Sequence, residues 1–113
     1  MDRDRQEHFR ARLLAERAAL DADDDLGREG RQTVVLDQQS VGRLNRMDAL
    51  QRQAMAKATQ ARRGQARHRI DAALARLDEG DFGYCTECGE EIPHKRLELD
   101  PTLPTCVGCA ASR

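Results

Sequence analysis

The chain has 113 residues and a net charge of −1, and its composition is 35% charged, 39% hydrophobic and only 3% aromatic. With so few aromatic side chains, burial at about 25 cal/mol per Å² does not predict one large globular core, and the composition favours long helices instead. The start of the chain is charged and no stretch approaches the roughly 18 apolar residues of a membrane span, so a soluble, cytoplasmic protein is expected.

The first predicted element is a helix from residue 3 to about residue 20. Four of its side chains follow the three–four spacing of one helical seam: Phe9, Leu13, Glu16 and Leu20. Over about residues 21–39 acidic residues outnumber basic ones, and two glycines interrupt the helical pattern. This composition predicts an acidic loop after the first helix.

A second, long helix is predicted from about residue 40 to residue 79, because only isolated glycines interrupt that stretch. Asp37 or Ser40 would cap its start, and Gly80 would follow its end. A helix about 60 Å long must pack against a partner, and the first helix is the obvious one. An antiparallel coiled-coil hairpin is therefore expected up to residue 79.

The two predicted helices differ in length, and this limits how far they should pair. Pairing is expected only to about residue 60, where three alanines would let the backbones approach: Ala54, Ala58 and Ala61. Beyond it, a new apolar face should pack on a small module formed by residues 80–113. We expect that contact to join Ile70, Ala73, Leu74 and Leu77 to Ile92, Leu97 and Leu99.

All the cysteines of the chain lie in this module, spaced Cys-x2-Cys-x17-Cys-x2-Cys: Cys85, Cys88, Cys106 and Cys109. The spacing is typical of structural zinc sites, because one tight turn aims two thiolates at one point and two such turns complete a tetrahedron. Gly89 directly follows the first pair, where a zinc-binding turn commonly needs a positive φ. One structural zinc ion is predicted, and His94 is expected to be an exposed loop residue.

Other chemistry fits these cysteines less well. Thioredoxin-like redox chemistry needs only one Cys-x-x-Cys and a surrounding βαβ pattern, which the sequence lacks. Four thiolates leave a zinc ion without an open position for water or substrate, so metal-ion catalysis is not expected. With no phosphate-binding glycine loop and no serine near an evident base, the sequence does not predict an enzyme.

The module and the helices before it resemble the DksA/TraR family of bacterial zinc-finger proteins. The resemblance is carried by DFGYCTECGEEI, RLE, DP and the closing CVGCA, and it is specific over residues 66–109. It implies a regulator of transcription that inserts its hairpin into the secondary channel of RNA polymerase, with an acidic tip approaching the active site. It also implies a change in the lifetime of open promoter complexes without sequence-specific DNA contact, and in some members joint action with ppGpp.

The resemblance assigns roles to particular residues. The four cysteines match the zinc ligands of the family, and Arg62 and Arg69 fall where longer members contact ppGpp. A third basic position of that site is Ala110 here. The aspartate motif of the family tip would fall on Gly42, Asn45 and Met47, so the tip residue is expected elsewhere. The candidates are Asp37, which we favour, Asp48, and Asp24 in an acidic run.

Two other functions are compatible with the sequence. Residues 52–69 carry six basic and no acidic residues, which suits a nucleic-acid-binding zinc protein with a steep salt dependence. However, these bases spread around the helix, and the run has no phenylalanine, tyrosine or tryptophan available for stacking. The same run also fits an ordinary solvated helix face.

Overall fold

In a computed structural model of the protein, residues 1–32 and 42–112 are described. They form four helices: α1 (Arg3–Gln32), α2 (Arg43–Glu79), α3 (His94–Leu99) and α4 (Val107–Ala111). The described residues contain no strand, only one isolated antiparallel bridge between Tyr84 and Glu91. Within these same ranges, every helix is too short or too polar to cross a lipid bilayer. The predicted mainly helical class is confirmed.

Helix α1 continues twelve residues beyond its predicted end near residue 20. The prediction of a loop is therefore wrong for residues 21–32. Aspartates that outnumber bases do not stop a helix if their carboxylates reach solvent or a cation, and an interior glycine costs only about 1 kcal/mol. The rest of the predicted loop, with Asp37 and Ser40, lies outside the described residues.

Helix α2 ends at Glu79, as predicted, and begins at Arg43 rather than near residue 40. Its end follows from Gly80, which has a φ of +82° and so takes a conformation that costs other residues energy. The N–H of Asp81 donates to the carbonyl of Arg76 at 2.9 Å, and the N–H of Gly80 donates to that of Leu77 at 3.3 Å. These bonds satisfy the last carbonyls of the helix and turn the chain toward the cysteines.

The chain divides into two compact units at other points than the predicted boundary between residues 79 and 80. Unit 1 comprises Met1–Arg17 and Arg67–Arg113, and unit 2 comprises Ala18–Ala66. The cysteine module therefore shares one unit with the start of α1 and the end of α2. The reason is apolar burial, because both helices contribute side chains to the core that the module completes.

The core of unit 1 contains every buried apolar side chain that the described residues provide: Phe9, Leu13, Ile70, Ala73, Leu77, Phe82, Cys85, Ile92, Leu97 and Pro101. Of the apolar face expected on α2, Ile70, Ala73 and Leu77 are buried and Leu74 is half-buried. The expected burial of Ile92 and Leu97 is found. Leu99 was expected there too, but it is 83% exposed. It lies two residues after the buried Leu97 in α3, and two residues turn a helix by about 200°, so the two side chains point to opposite sides.

Within each unit, α1 and α2 run antiparallel. In unit 1, Arg10 pairs with Asp78 at 2.9 Å and Arg17 pairs with Asp71 at 3.2 Å. A step of seven residues forward on α1 thus corresponds to a step of seven back on α2, which is the spacing of a coiled coil. The predicted coiled-coil hairpin is confirmed.

In unit 2, the predicted contacts of α2 need correction. Arg63 pairs with Asp24 at 2.8 Å, so pairing does not stop near residue 60. Ala54, Ala58 and Ala61 are exposed, whereas Ala49 and Ala56 are half-buried. Ala49, Ala56 and Arg63 follow a seven-residue spacing, so the seam keeps the coiled-coil repeat on a different side of α2 from the one predicted.

Candidate metal centre

The first cysteine pair lies on a tight backbone turn after α2. The N–H of Cys85 donates to the carbonyl of Glu90 at 2.8 Å, and the N–H of Gly89 donates to the carbonyl of Cys85 at 3.0 Å. Gly89 has a φ of +75°, as the sequence predicted. The turn places the sulfurs of Cys85 and Cys88 on one side.

The second pair lies at the start of the five-residue helix α4. Cys106 is its N-cap, and its sulfur accepts a hydrogen bond from the N–H of Cys109 at 3.5 Å. The N–H of Thr86 donates to the carbonyl of Pro104 at 2.9 Å, which ties the first turn to the chain just before the second. The two turns are therefore held side by side without any sulfur–sulfur bond.

The four sulfur atoms form one cluster in which all lie within 4.8 Å of one another. All four cysteines are free thiols rather than disulfides, and Cys85 is buried while Cys88 is exposed. With zinc–sulfur bonds of about 2.3 Å, the sulfurs of a tetrahedral site lie about 3.8 Å apart. The sulfurs of Cys88 and Cys106 are 3.8 Å apart, so the cluster has the size of a zinc site.

The electrostatics of the cluster also call for a cation. Hydrogen bonds from the backbone N–H of Cys88, and then from that of Cys106, lower the pKa of Cys85 to about 6. The pKa of Cys109 is raised to about 12 by hydrogen bonds with the sulfurs of Cys106, Cys85 and Cys88, in that order of size. Four sulfurs this close cannot all be thiolates unless a positive ion lies among them, and zinc supplies that charge. The donor set fits one structural zinc ion, as predicted.

His94 is not placed as a ligand of this cluster. It is the first residue of α3, its side chain is about one-third exposed, and its Nε2 lies 3.2 Å from Oε1 of Glu98. Its ring also packs edge-on against Phe9, with centroids 5.9 Å apart. The expectation of an exposed loop histidine is therefore wrong, because the ring helps to join α1 to the module.

Three arginines hold the segment between the two cysteine pairs, a role that was not predicted from the sequence. Arg12 of α1 donates to the carbonyls of Glu98 and Leu99. Arg76 of α2 donates to the carbonyl of Thr102 at 3.5 Å, and Arg96 of α3 donates to the carbonyl of Thr105 at 3.0 Å. Backbone carbonyls at the end of α3 and in the irregular segment after it thus receive donors from three different helices. Because any residue supplies such a carbonyl, no sequence motif marks these contacts.

The other predicted site residues lie on the two long helices or beyond the described residues. Asp24 is paired with Arg63, whereas Asp48 is exposed near the start of α2. Arg62 is exposed in unit 2, with its Nη2 3.1 Å from Oγ1 of Thr59, and Arg69 is exposed in unit 1. Asp37 is not among the described residues.

Comparison with known proteins shows which proteins have a similar cysteine module and a similar fold. Residues 80–113 match the family described as the prokaryotic dksA/traR C4-type zinc finger. The structure of transcription factor DksA2 from Pseudomonas aeruginosa covers 99% of this chain and 84% of its own, with a TM-score of 0.86 and 28% sequence identity. Residues 80–113 therefore form a zinc finger of this type, and the chain as a whole has the fold of a DksA protein. Its hairpin and its zinc module are thus both found together in a solved DksA structure.

Curated DksA proteins match this chain over 41 residues. The RNA polymerase-binding transcription factor DksA of Haemophilus influenzae is 54% identical over 41 residues, and that of Escherichia coli K12 is 44% identical over 41 residues. Each match covers 36% of this chain, but only 28% and 27% of the respective relatives. A transcriptional regulator from Chlamydia trachomatis shares the fold, with a TM-score of 0.59 at 20% identity.

Proposed function

We propose that this protein is a bacterial transcription regulator of the DksA/TraR type that binds RNA polymerase and inserts its hairpin into the secondary channel. The observation that carries the proposal is the joint presence of the four-sulfur cluster and the antiparallel hairpin along nearly the whole DksA2 fold. The Haemophilus and Escherichia relatives are named RNA polymerase-binding transcription factors, which supports the same partner. A polymerase-bound regulator acts in the cytoplasm and needs no catalytic site of its own.

In this function the zinc module is the base of the hairpin. Bound zinc would neutralise the thiolates and link the two cysteine turns. The protein's own side chains then hold the helices: Phe9 packs on Phe82 with ring centroids 5.3 Å apart, and Arg12 binds the carbonyls at the end of α3. The module thereby fixes α1 and α2 against each other within unit 1.

For the tip we propose Asp37 first and Asp48 second. The exposed carboxylate of Asp48 supports its candidacy, whereas Asp24 is held in a half-buried pair with Arg63 and is a weaker candidate. Asp37→Asn should leave polymerase binding intact and abolish the effect on transcription. If Asp48→Asn has that phenotype instead, the tip residue is Asp48.

We further propose that Arg62 and Arg69 correspond to two of the three basic positions of the family's ppGpp site, whereas Ala110 stands at the third. Both arginines are exposed, as a ligand site at the polymerase surface would require. The response to ppGpp should therefore be weaker than in members with all three bases. Ala110→Lys should strengthen it.

The nucleic-acid-binding alternative loses support from the structure. Of the basic run 52–69, Arg63 is paired with Asp24 and Arg67 is half-buried with an interaction partner. The bases that stay exposed are Arg52, Lys57, Arg62 and Arg69, and residues 52–69 contain no phenylalanine, tyrosine or tryptophan on which a nucleic-acid base could stack.

Gel filtration with purified core RNA polymerase tests the proposal, with a parallel gel-shift assay on duplex DNA. We expect co-elution with the polymerase and no DNA shift at physiological salt. Salt-sensitive DNA binding without co-elution would reject the proposal in favour of the nucleic-acid-binding alternative. A Cys106→Ser, Cys109→Ser variant is the control, because it should lose the folded base and the co-elution together.

A further inference from the structure

The two units differ in what lies between α1 and α2. In unit 1 the seam contains large buried side chains such as Phe9, Leu13 and Ile70. In unit 2 no described apolar side chain is buried, and Leu20 of α1 is half-buried. The half-buried positions of α2 in this unit are all small or polar: Arg46, Ala49, Gln53, Ala56, Thr59, Arg63 and Ala66. Small, similar side chains do not by themselves distinguish one alignment of two helices from another.

One ion pair stands out in this polar seam. Nε of Arg63 donates to Oδ1 of Asp24 at 2.8 Å, and the two side chains are only 18% and 16% exposed. The pairs of unit 1 are far more open: in the Arg10–Asp78 pair the side chains are 40% and 68% exposed. An exposed pair contributes little, whereas a desolvated charge that loses its partner is strongly penalised.

The order of charges in the Asp24–Arg63 pair is opposite to that of the unit 1 pairs. In the unit 1 pairs the arginine is on α1 and the aspartate on α2, whereas in the Asp24–Arg63 pair the aspartate is on α1 and the arginine on α2. Seven residues to either side of Asp24, the chain carries Arg17 and Arg31. A slip of one heptad in either direction would therefore bring Arg63 opposite another arginine.

The same slip would also misplace Asp24. Seven residues to either side of Arg63 are Ala56 and Ile70. The carboxylate would then face an apolar residue while the guanidinium faced a like charge. Such arrangements, in which a polar group rejects the wrong alignment, are a known way to fix the register of coiled coils.

We propose that Asp24 and Arg63 form a positioning pair that sets the register of α1 against α2 in unit 2. The pair selects one register in a stretch where side-chain packing alone does not select an alignment of the two helices. Its consequence for activity rests on the proposed function, because register sets how far the hairpin extends. Neither residue has to touch the polymerase for this role.

The register itself can be measured without polymerase. Spin labels at the exposed positions Ala19 and Gln51, attached through encoded non-cysteine amino acids, keep the zinc ligands untouched. These positions are far apart along the helices, so a slip of one turn changes their distance by about 5 Å and a slip of one heptad by about 10 Å. Double electron–electron resonance reports that distance distribution.

We expect one narrow distance population in the parent protein and in Asp24→Glu, which keeps the charge. Asp24→Asn should shift or broaden the distribution by about 5 to 10 Å, while its zinc content stays that of the parent. Asp78→Asn is the matched control, because it removes an exposed carboxylate from a unit whose register is fixed by packing, and it should change nothing. A distribution for Asp24→Asn that equals the parent's, or one that Asp24→Glu fails to restore, would overturn the proposal.

A second assay connects the register to activity. Asp24→Asn should still co-elute with core polymerase through its intact base but lose most of its effect on open-complex lifetime, and Asp24→Glu should recover that effect. Equal activity of Asp24→Asn and the parent would contradict the functional half of the proposal. If the parent itself fails to bind polymerase, the proposed function fails, and the distance measurement still decides the register inference.

Discussion

At the scale of single residues, the cysteine turn depends on backbone conformation more than on side-chain contacts. Gly89 has a φ of +75°, and a Cβ at this position would meet no atom within 4 Å. Any cost of a larger residue here is therefore conformational rather than steric. Gly108, in α4, also has open space around it but has no positive φ.

This pair of glycines gives the first prediction. Gly89→Ala should destabilise the module by about 1 to 2 kcal/mol, because a left-handed conformation is unfavourable for residues with a Cβ. That corresponds to a zinc affinity roughly 5- to 30-fold lower. Competition with a chromogenic zinc chelator measures it.

Gly108→Ala is the control for this prediction. It should be neutral or stabilise the module by up to about 1 kcal/mol, because alanine restricts the unfolded chain and suits a helix. Equal losses of zinc affinity in the two variants would show that backbone conformation at Gly89 is not the cause.

At the scale of elements, the two long helices show which helix ends and contacts a sequence pattern can predict. The end of α2 was predictable because Gly80 is a specific stop signal. The end of α1 was not predictable, because the aspartates and glycines after residue 20 are typical of loops. The contact of Asp24 with Arg63 of α2 supports the helix there, and such a tertiary contact cannot be read from the sequence. The seam of α2 was misplaced for a similar reason, since Ala54 and Ala56 are alike in sequence and only the partner helix distinguishes them.

The four-cysteine cluster was predictable from the sequence, whereas the side chains that hold the segment between the two cysteine pairs were not. Ligand spacing is a local property, so the zinc prediction required no knowledge of the fold. The contacts of Arg12, Arg76 and Arg96 with backbone carbonyls depend on where an irregular segment lies in space. The inward position of His94 against Phe9 depends on the same packing.

The seam of α1 gives the second prediction. Phe9 is fully buried and its ring lies 5.3 Å from that of Phe82 and 5.9 Å from that of His94. Phe9→Ala should therefore lower the free energy of unfolding by about 3 to 5 kcal/mol through lost burial and the cavity left behind. Urea denaturation followed by far-UV circular dichroism measures the change.

Leu14→Ala is the matched control on the same helix, because Leu14 is about half exposed. It should change the free energy of unfolding by no more than about 0.5 kcal/mol. A small effect of Phe9→Ala, or a large effect of Leu14→Ala, would mean that α1 does not pack on the module through this seam.

At the scale of the whole molecule, zinc is expected to stabilise the cysteine module rather than the whole hairpin. The module has few apolar side chains, and metal binding can supply about 10 to 16 kcal/mol to such a domain. Within unit 1 the same module contacts α1 through Phe82, His94 and the carbonyls bound by Arg12, and it contacts α2 through a carbonyl bound by Arg76. Loss of zinc should therefore destabilise the module and the helix ends packed on it before it destabilises unit 2.

Zinc removal is the third prediction. Treatment with a strong chelator should abolish hydrogen-exchange protection over residues 80–112, because the thiolates would repel one another without the cation. Mass spectrometry of peptides from that region measures the protection, with the zinc-saturated chelator as the control. Protection that persists in the metal-free protein would show that zinc does not hold the module together.

The most direct measurement of the central claim, insertion of the hairpin into the polymerase, is photo-crosslinking from its two ends. A photoreactive amino acid would replace Met47, which is exposed near the start of α2, or Tyr84, which is partly exposed in the module. We predict that the probe at position 47 crosslinks to polymerase residues lining the secondary channel near the active site, and the probe at position 84 to the outer surface. Crosslinks from position 47 to the outer surface alone, or to DNA in the absence of polymerase contacts, would contradict insertion.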